Sequence, residues 1–197
     1  MTARVLAIST SPRRHGNSED ALDLVLGYFG PDRFSVEKVL LNDLSVAPCK
    51  GCGACEKLGR CIQEDDFQDL AAKIRAADVL ILASPVYSLS VCAQAKALID
   101  RCQVFWSQKY VLKTFTTPPG RRFGMFLATA GQSRGNVFDH AVPVARFLFD
   151  VSGITSKDTH LLLLSGVDHK GDFLRIPEAV AKAEDAAASF VESLEFV

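Results

Sequence analysis

The sequence predicts an α/β fold: a doubly wound, five-stranded parallel sheet in the order 2-1-3-4-5, with helices on both faces. Three observations lead there. Apolar runs of strand length alternate with segments of helical periodicity along the 197 residues. The run from Asp78 to Ala83 is almost wholly apolar, the pattern of a strand covered on both faces. Parallel strands joined through helices need right-handed crossovers, which leaves few topologies for five strands.

The first strand is residues 4–9, and a turn-rich stretch from Ser9 to Asn17 follows. Ser18 reads as a helix start, with Ala21, Leu22, Val25, Leu26 and Phe29 on one apolar face. Gly30 and Pro31 end that helix, and residues 34–41 form the second strand. After a long connection, Phe67, Leu70, Ala71 and Ile74 stripe the next helix. The third strand is residues 78–83, a helix covers about 90–103, and residues 106–120 read as irregular, closed by Pro118, Pro119 and Gly120. Residues 123–129 make the fourth strand, followed by a glycine-rich loop and a helix near 136–151. Residues 160–165 make the fifth strand, and a last helix runs over about 177–195. There is no internal repeat, so residues 1–197 read as one domain with a cysteine-rich loop at 48–62.

Hydrophobic residues make up 48% and charged residues 23%, the balance of a soluble protein. Net charge is −1 with no block of like charges, so nothing favours nucleic acid or an anionic membrane. The N-terminus enters a strand at once, without the pattern of a signal peptide. No apolar run reaches the ~20 residues that span a bilayer. A reducing cytoplasm is therefore expected, where cysteines serve metal ligation or redox chemistry rather than disulfides.

Four of the six cysteines, Cys49, Cys52, Cys55 and Cys61, fall within thirteen residues as C-x2-C-x2-C-x5-C. Thiolates two residues apart let one loop curl so that successive sulfurs face a common object. Ferredoxins hold iron–sulfur clusters with C-x2-C-x2-C-x3-C-P. Here the fourth cysteine comes two residues later and Pro48 precedes the run. Structural zinc sites pair two such knuckles across a longer insert, so a cluster fits better than zinc. A cluster, a zinc ion and an unmetallated loop remain the alternatives. Lys50, Lys57 and Arg60 would stabilise a reduced cluster or simply be solvated; Cys92 and Cys102 read as core residues.

Three loops are expected at the carboxyl edge of the sheet. The first offers Ser9, Ser11, Arg13, Gly16, Asn17 and Ser18 ahead of a helix N-terminus, suited either to a phosphate or to a capped polar turn. It matches neither a G-x-x-x-x-G-K-[ST] nor a G-x-G-x-x-G loop. The second, from Ser84 to Ser88, combines a rigid proline and an aromatic ring, suited to a planar heterocycle or an ordinary strand exit. In the third, Ala130 to Asn136, glycines permit close approach to a ligand. Gly131 to Gly135 also matches G-x-S-x-G, with Asp158 and His169 later in triad order, so hydrolysis at Ser133 is a competing reading. It is disfavoured because only one strand follows the serine.

Ser9, Ser11, Pro12, Arg13, Gly16, Asn17 and Ser18, then Ser84 to Tyr87 with Lys96, Asp100 and Arg101, then Thr129 to Gly131, resemble the NAD(P)H-dependent FMN reductase family, which is flavodoxin-like. With the cysteine run, the chain resembles that family's iron–sulfur flavoprotein branch. The resemblance implies FMN, its phosphate held by Ser9, Ser11, Arg13, Asn17 and Ser18. It places Pro85, Val86, Tyr87 and Ser88 along the isoalloxazine, with Ala130 and Gly131 on the far side. It also implies a 4Fe–4S cluster on Cys49, Cys52, Cys55 and Cys61, and a homodimer or homotetramer in which flavin and cluster meet near subunit interfaces. The expected function is an electron relay between FMN and the cluster, fed by NAD(P)H or ferredoxin and emptied by a small molecule or a protein. The alternatives are a cluster-free NAD(P)H:FMN or quinone reductase and a non-enzymatic carrier. No residue is assigned as a covalent catalyst.

Overall fold

A computed structural model describes residues 2–117 and 119–194. Pro118, and residue 195 at the expected end of the last helix, lie outside the described residues. Five parallel strands form the sheet: β1 (Ala3–Ser9), β2 (Phe34–Leu40), β3 (Val79–Tyr87), β5 (Phe123–Ala130) and β6 (Thr159–Ser165). A two-residue strand, β4 (Ser90–Val91), pairs antiparallel with the end of β3. The spatial order β2-β1-β3-β5-β6 is the expected one, with β4 as an addition. Ala7 pairs with Lys38 on one side and Ile81 on the other, and Ile81 pairs in turn with Met125.

Alternation along the strands divides two cores. Leu6, Ile8, Leu80, Leu82 and Phe126 face one side, covered by α3 (Phe67–Ala76), α4 (Ala93–Arg101) and α6 (Ala141–Val151). Val5, Ala7, Val79, Ile81 and Met125 face the other, covered by α1 (Asn17–Leu26), α7 (Asp172–Arg175) and α8 (Pro177–Ser193). The inner strands β3 and β5 are buried on both faces, whereas β2 at the edge exposes Glu37 and half-exposes Lys38. Charge on an edge strand discourages pairing with another sheet.

Two departures bear on the site. Residues 90–103 are not one helix: β4 precedes α4, and α5 (Gln103–Trp106) runs into a π-helical turn over Ser107–Val111, inside the stretch expected to be irregular. The cysteine loop contains a short helix, α2 (Ala54–Leu58), bounded by Gly53 and Gly59 in left-handed conformation.

Buried Arg122 joins two helix ends below the sheet. Its Nε donates to Ala77 O at 2.7 Å and its Nη2 to Ile74 O at 2.7 Å, at the end of α3. Its Nη1 donates to Ser152 O, just past α6. One cation thus satisfies carbonyls that two helix termini leave unpaired. Burial pushes its pKa down to about 10, so it stays charged at neutral pH. Arg122→Met strands those carbonyls and is expected to cost on the order of 3 kcal/mol. This would appear as a lower urea midpoint at unchanged m-value; an unmoved midpoint contradicts the assignment.

Candidate functional site

The first loop leaves β1 beside β3. Thr10 gives both its backbone N–H (2.9 Å) and its Oγ1 (2.8 Å) to Ala83 O, so the chain turns only after this tie. The Arg13 N–H donates to Ser11 Oγ at 3.1 Å. His15 takes a left-handed φ of 50°, and its N–H donates to Glu19 Oε2 at 2.8 Å. Asn17 and Ser18 then open α1, where backbone N–H groups have no intrahelical acceptor.

Asn17 is itself a clamp. Its Nδ2 donates to Val167 O at 3.2 Å and His169 O at 3.0 Å, and its Oδ1 accepts the Phe173 N–H at 3.1 Å. Its carboxamide is therefore committed to joining the first loop to the one after β6, leaving its N–H for a ligand. Glu19 was not singled out by the sequence, yet it is buried and bonded to Lys38 Nζ at 3.0 Å. Burial pushes its carboxyl up, but Lys38 and the His15 N–H together hold it below its ordinary value of 4.5. Lys38 is correspondingly raised against its burial, with Asp23 as its other partner at 2.6 Å.

The expected second loop is a continuation of β3. Pro85 pairs with Thr129, and Val86 and Tyr87 pair with Val91 and Ser90 of β4. Pairing with β1 stops at Ser9↔Ala83, so Pro85 lies beyond β1, where a missing N–H breaks no bond to that strand. Ser88 and Leu89 turn the hairpin with φ of 50° and 65°. A two-residue hairpin of this type I′ kind needs positive φ at both positions and usually places Asn or Gly there. A serine and a leucine hold this turn under strain, a feature that concentrates at functional sites. Cys92 anchors the hairpin: its N–H donates to Ser84 Oγ (3.2 Å) and its buried thiol to Thr10 O (3.1 Å).

On the far side, Ala130 ends β5 buried and Gly131 is exposed. A Cβ on Gly131 would stand 2.5 Å from Asp168 Oδ1, so glycine allows the loop after β6 to close in. The hydrolase reading fails on geometry. Asp158 is buried, bonded to Arg121 and Thr155, and precedes β6 at the edge of the sheet opposite Ser133. Helix α6 starts eight residues after Ser133, at Ala141, so there is no sharp strand-to-helix nucleophile turn.

A cavity of about 110 Å³ opens where these loops meet. Ser11, Arg13, Asn17 and Ser18 line it from the first loop, Pro85, Val86 and Tyr87 from β3, and Gly131 from the third loop. Ser9 and Ala130 are buried in the strands behind, and Ser88 sits at the hairpin turn. Gly16 and Thr129, which the loop motifs contain without an assigned role, and Val167, Asp168 and Lys170 from the loop after β6 complete the lining. Size alone does not select the site. A cleft of about 870 Å³ lies beside α3, lined in part by Arg4, Arg75 and Phe105, and shares none of these residues.

The four clustered cysteines line a separate cavity of about 130 Å³ with Arg101, Gln103 and Val104. All four are free thiols, Cys55 and Cys61 half-buried. Gly51 and Gly53 have φ of 64° and 69°, and the Gly51 N–H donates to Cys49 Sγ at 3.4 Å. Among the described residues, no group of three or more His, Cys, Asp or Glu is placed to hold a metal ion. The donor set fits a thiolate-bound group, while the thiols stand around the cavity without converging. Although the loop leaves the same sheet edge as the first loop, its cavity lies at the far end of α4. Cys92 before that helix touches the first loop, and Arg101 ends it. Nine residues of helix span ~13 Å.

Residues 3–152 match the NADPH-dependent FMN reductase family over three quarters of the chain. The chain belongs to this family. It is 42% identical over 98 residues to an iron-sulfur flavoprotein of Archaeoglobus fulgidus, covering 50% of this chain and 44% of that protein. It is 34% identical over 132 residues to one from Methanosarcina thermophila, covering 67% and 65% respectively. The matched region thus spans less than two thirds of either relative's length. An azoreductase from Bacillus anthracis superposes with a TM-score of 0.68 at 17% identity, covering 97% of this chain and 100% of that one. The family and flavodoxin-like fold are those of flavin-dependent oxidoreductases. No helix among the described residues is long and apolar enough to cross a membrane.

Because Glu19's folded pKa lies below 4.5, its ion pair contributes stability above that pH and loses it as pH falls through the lower folded value. Glu19→Gln is expected to flatten the acid limb of a stability-versus-pH curve measured by urea unfolding. An unchanged limb contradicts the shift.

Proposed function

We propose that the chain is an FMN-dependent oxidoreductase that takes reducing equivalents from NAD(P)H and passes them to a small acceptor such as a flavin or quinone. The observation that carries this reading is the crevice at the β1/β3 edge. It combines the N-terminus of α1, Arg13 and Lys170 with the Pro85–Tyr87 segment. Free N–H groups and two cations suit a phosphate. At about 110 Å³ the cavity is well below the ~300 Å³ that encloses a whole ligand. It would therefore take the phosphate end, leaving the planar ring along Pro85, Val86, Tyr87 and Ser88 with Ala130 and Gly131 on its far side. Ser9 supports the phosphate loop from within β1.

Bound FMN supplies two-electron acceptance and one-electron release. The chain's own residues bind and orient it. Glu19 fixes the turn at His15, Asn17 fixes the loop after β6, and Cys92 fixes the hairpin against Thr10. No side chain is needed as a nucleophile.

A more specific reading adds a 4Fe–4S cluster on Cys49, Cys52, Cys55 and Cys61. Its support is the shared cavity, the four free thiols, the left-handed glycines that curl the loop, and relatives named iron-sulfur flavoprotein. The cluster-free reductase needs only the crevice and is the simpler reading. With a cluster the protein becomes a relay, accepting electrons from NAD(P)H or ferredoxin. Since the two cavities lie at opposite ends of α4, a homodimer or homotetramer would bring them together across subunits.

An anaerobic preparation with flavin, iron and sulfide counted per chain tests both readings. FMN that bleaches with NAD(P)H is expected, and no flavin uptake on incubation with FMN contradicts the function. Cys55→Ala is expected to lose iron and sulfide and keep FMN. Full iron in that variant contradicts the ligand set, and wild type without iron or sulfide after reconstitution leaves the cluster-free reductase.

A further inference from the structure

Arg101 is wholly buried at the end of α4, on the wall of the cysteine cavity. Its Nη1 donates to Ala47 O at 2.8 Å and Asp65 Oδ2 at 2.7 Å, and its Nη2 to Asp65 Oδ1 at 2.9 Å and Gln63 O at 3.3 Å. The guanidinium carbon lies 4.4 Å from the Phe67 ring centroid. This fork pins both ends of the cysteine loop and fixes the guanidinium plane. Asp65 further accepts the Ala47 N–H at 3.0 Å. One donor is left over. Arg101 Nε is buried and has no acceptor among the described residues. An orphaned donor of this kind calls for a partner that is not yet accounted for. Cys61 lies beside the guanidinium, whose intrinsic basicity keeps it charged.

We propose that Arg101 is a positioning residue for the cluster, its Nε–H held to donate to the Cys61 sulfur and so favour the reduced state. The inference rests on the cluster reading above. Hydrogen bonds to the ligand sulfurs and net charge are among the determinants of cluster potential, and such supporting groups orient metal ligands generally. Because Asp65 balances the charge of Arg101, the directed N–H makes its own contribution. Removing the N–H and removing the balancing carboxylate must then act in opposite directions.

The test is the midpoint potential of the reconstituted cluster, followed by electron paramagnetic resonance during anaerobic titration. Arg101→Lys keeps the charge and loses Nε, and is expected to lower the cluster potential. Asp65→Asn leaves the cation uncompensated and is expected to raise it. The FMN potential stays put in both. Unmoved potentials, or shifts of one sign, at full iron content overturn the proposal. A labelled protein avoids dependence on loading in those variants: Arg60→Lys carrying ¹⁵N only in arginine guanidino groups. Its reduced cluster is expected to show a hyperfine-coupled ¹⁵N. Iron and sulfide present without that coupling overturn the role of Arg101 alone, whereas neither iron nor sulfide after reconstitution overturns the cluster reading and the role with it.

Discussion

The crossovers that leave β1 and β3 depart to opposite faces of the sheet, and the candidate site depends on that divergence. β1 leads through α1 to β2 on one side, while β3 leads through α4 to β5 on the other. Right-handed connections moving in opposite directions must cover opposite faces. The loops therefore part above Ser9 and Ala83, the last paired residues of the two strands, and open a crevice without disturbing the core. The N-terminus of α1 is delivered to one wall of that crevice and the overhang of β3 to another.

A crevice made from loops distant in sequence needs ties, and buried polar groups supply them. Asn17 reaches the loop after β6, and the Cys92 thiol reaches Thr10, so the three walls are joined by hydrogen bonds rather than by packing alone. The cysteine loop is organised on the same principle. Arg101 and Asp65 hold its two ends, and Gln108 Nε2 donates to Gly59 O at 2.6 Å. Between these anchors the thiols are left free to face their cavity. Left-handed non-glycine backbone occurs on two walls of the crevice, at His15 in the first loop and at Ser88 and Leu89 in the hairpin.

The sheet was legible because its signal is local: the inner strands are buried on both faces and read as unbroken apolar runs. Pro85 misled the reading of β3, since proline marks a strand end only where a ladder bond needs its N–H. The hairpin at Ser88 and Leu89 was hidden because neither residue signals a left-handed turn. Helix α2 is too short for periodicity to register. Most of the crevice lining was found through the first loop and β3. Glu19 was missed because its meaning depends on Lys38 in another element. Asp168 was missed, and Lys170 was given no role, because only folding brings their loop to Gly131. Arg101 appeared as part of a motif, but its burial against Cys61 required the structure.

The β1/β3 edge is proposed to hold FMN by its phosphate. Titrating flavin-free protein with FMN and with riboflavin, which lacks only that group, tests it most directly. The crevice predicts that FMN binds at least about tenfold tighter, a difference of ~1.4 kcal/mol. It also predicts that Arg13→Ala erodes the advantage by weakening FMN while leaving riboflavin nearly unchanged. Equal affinity for the two flavins in the wild-type protein would contradict the account.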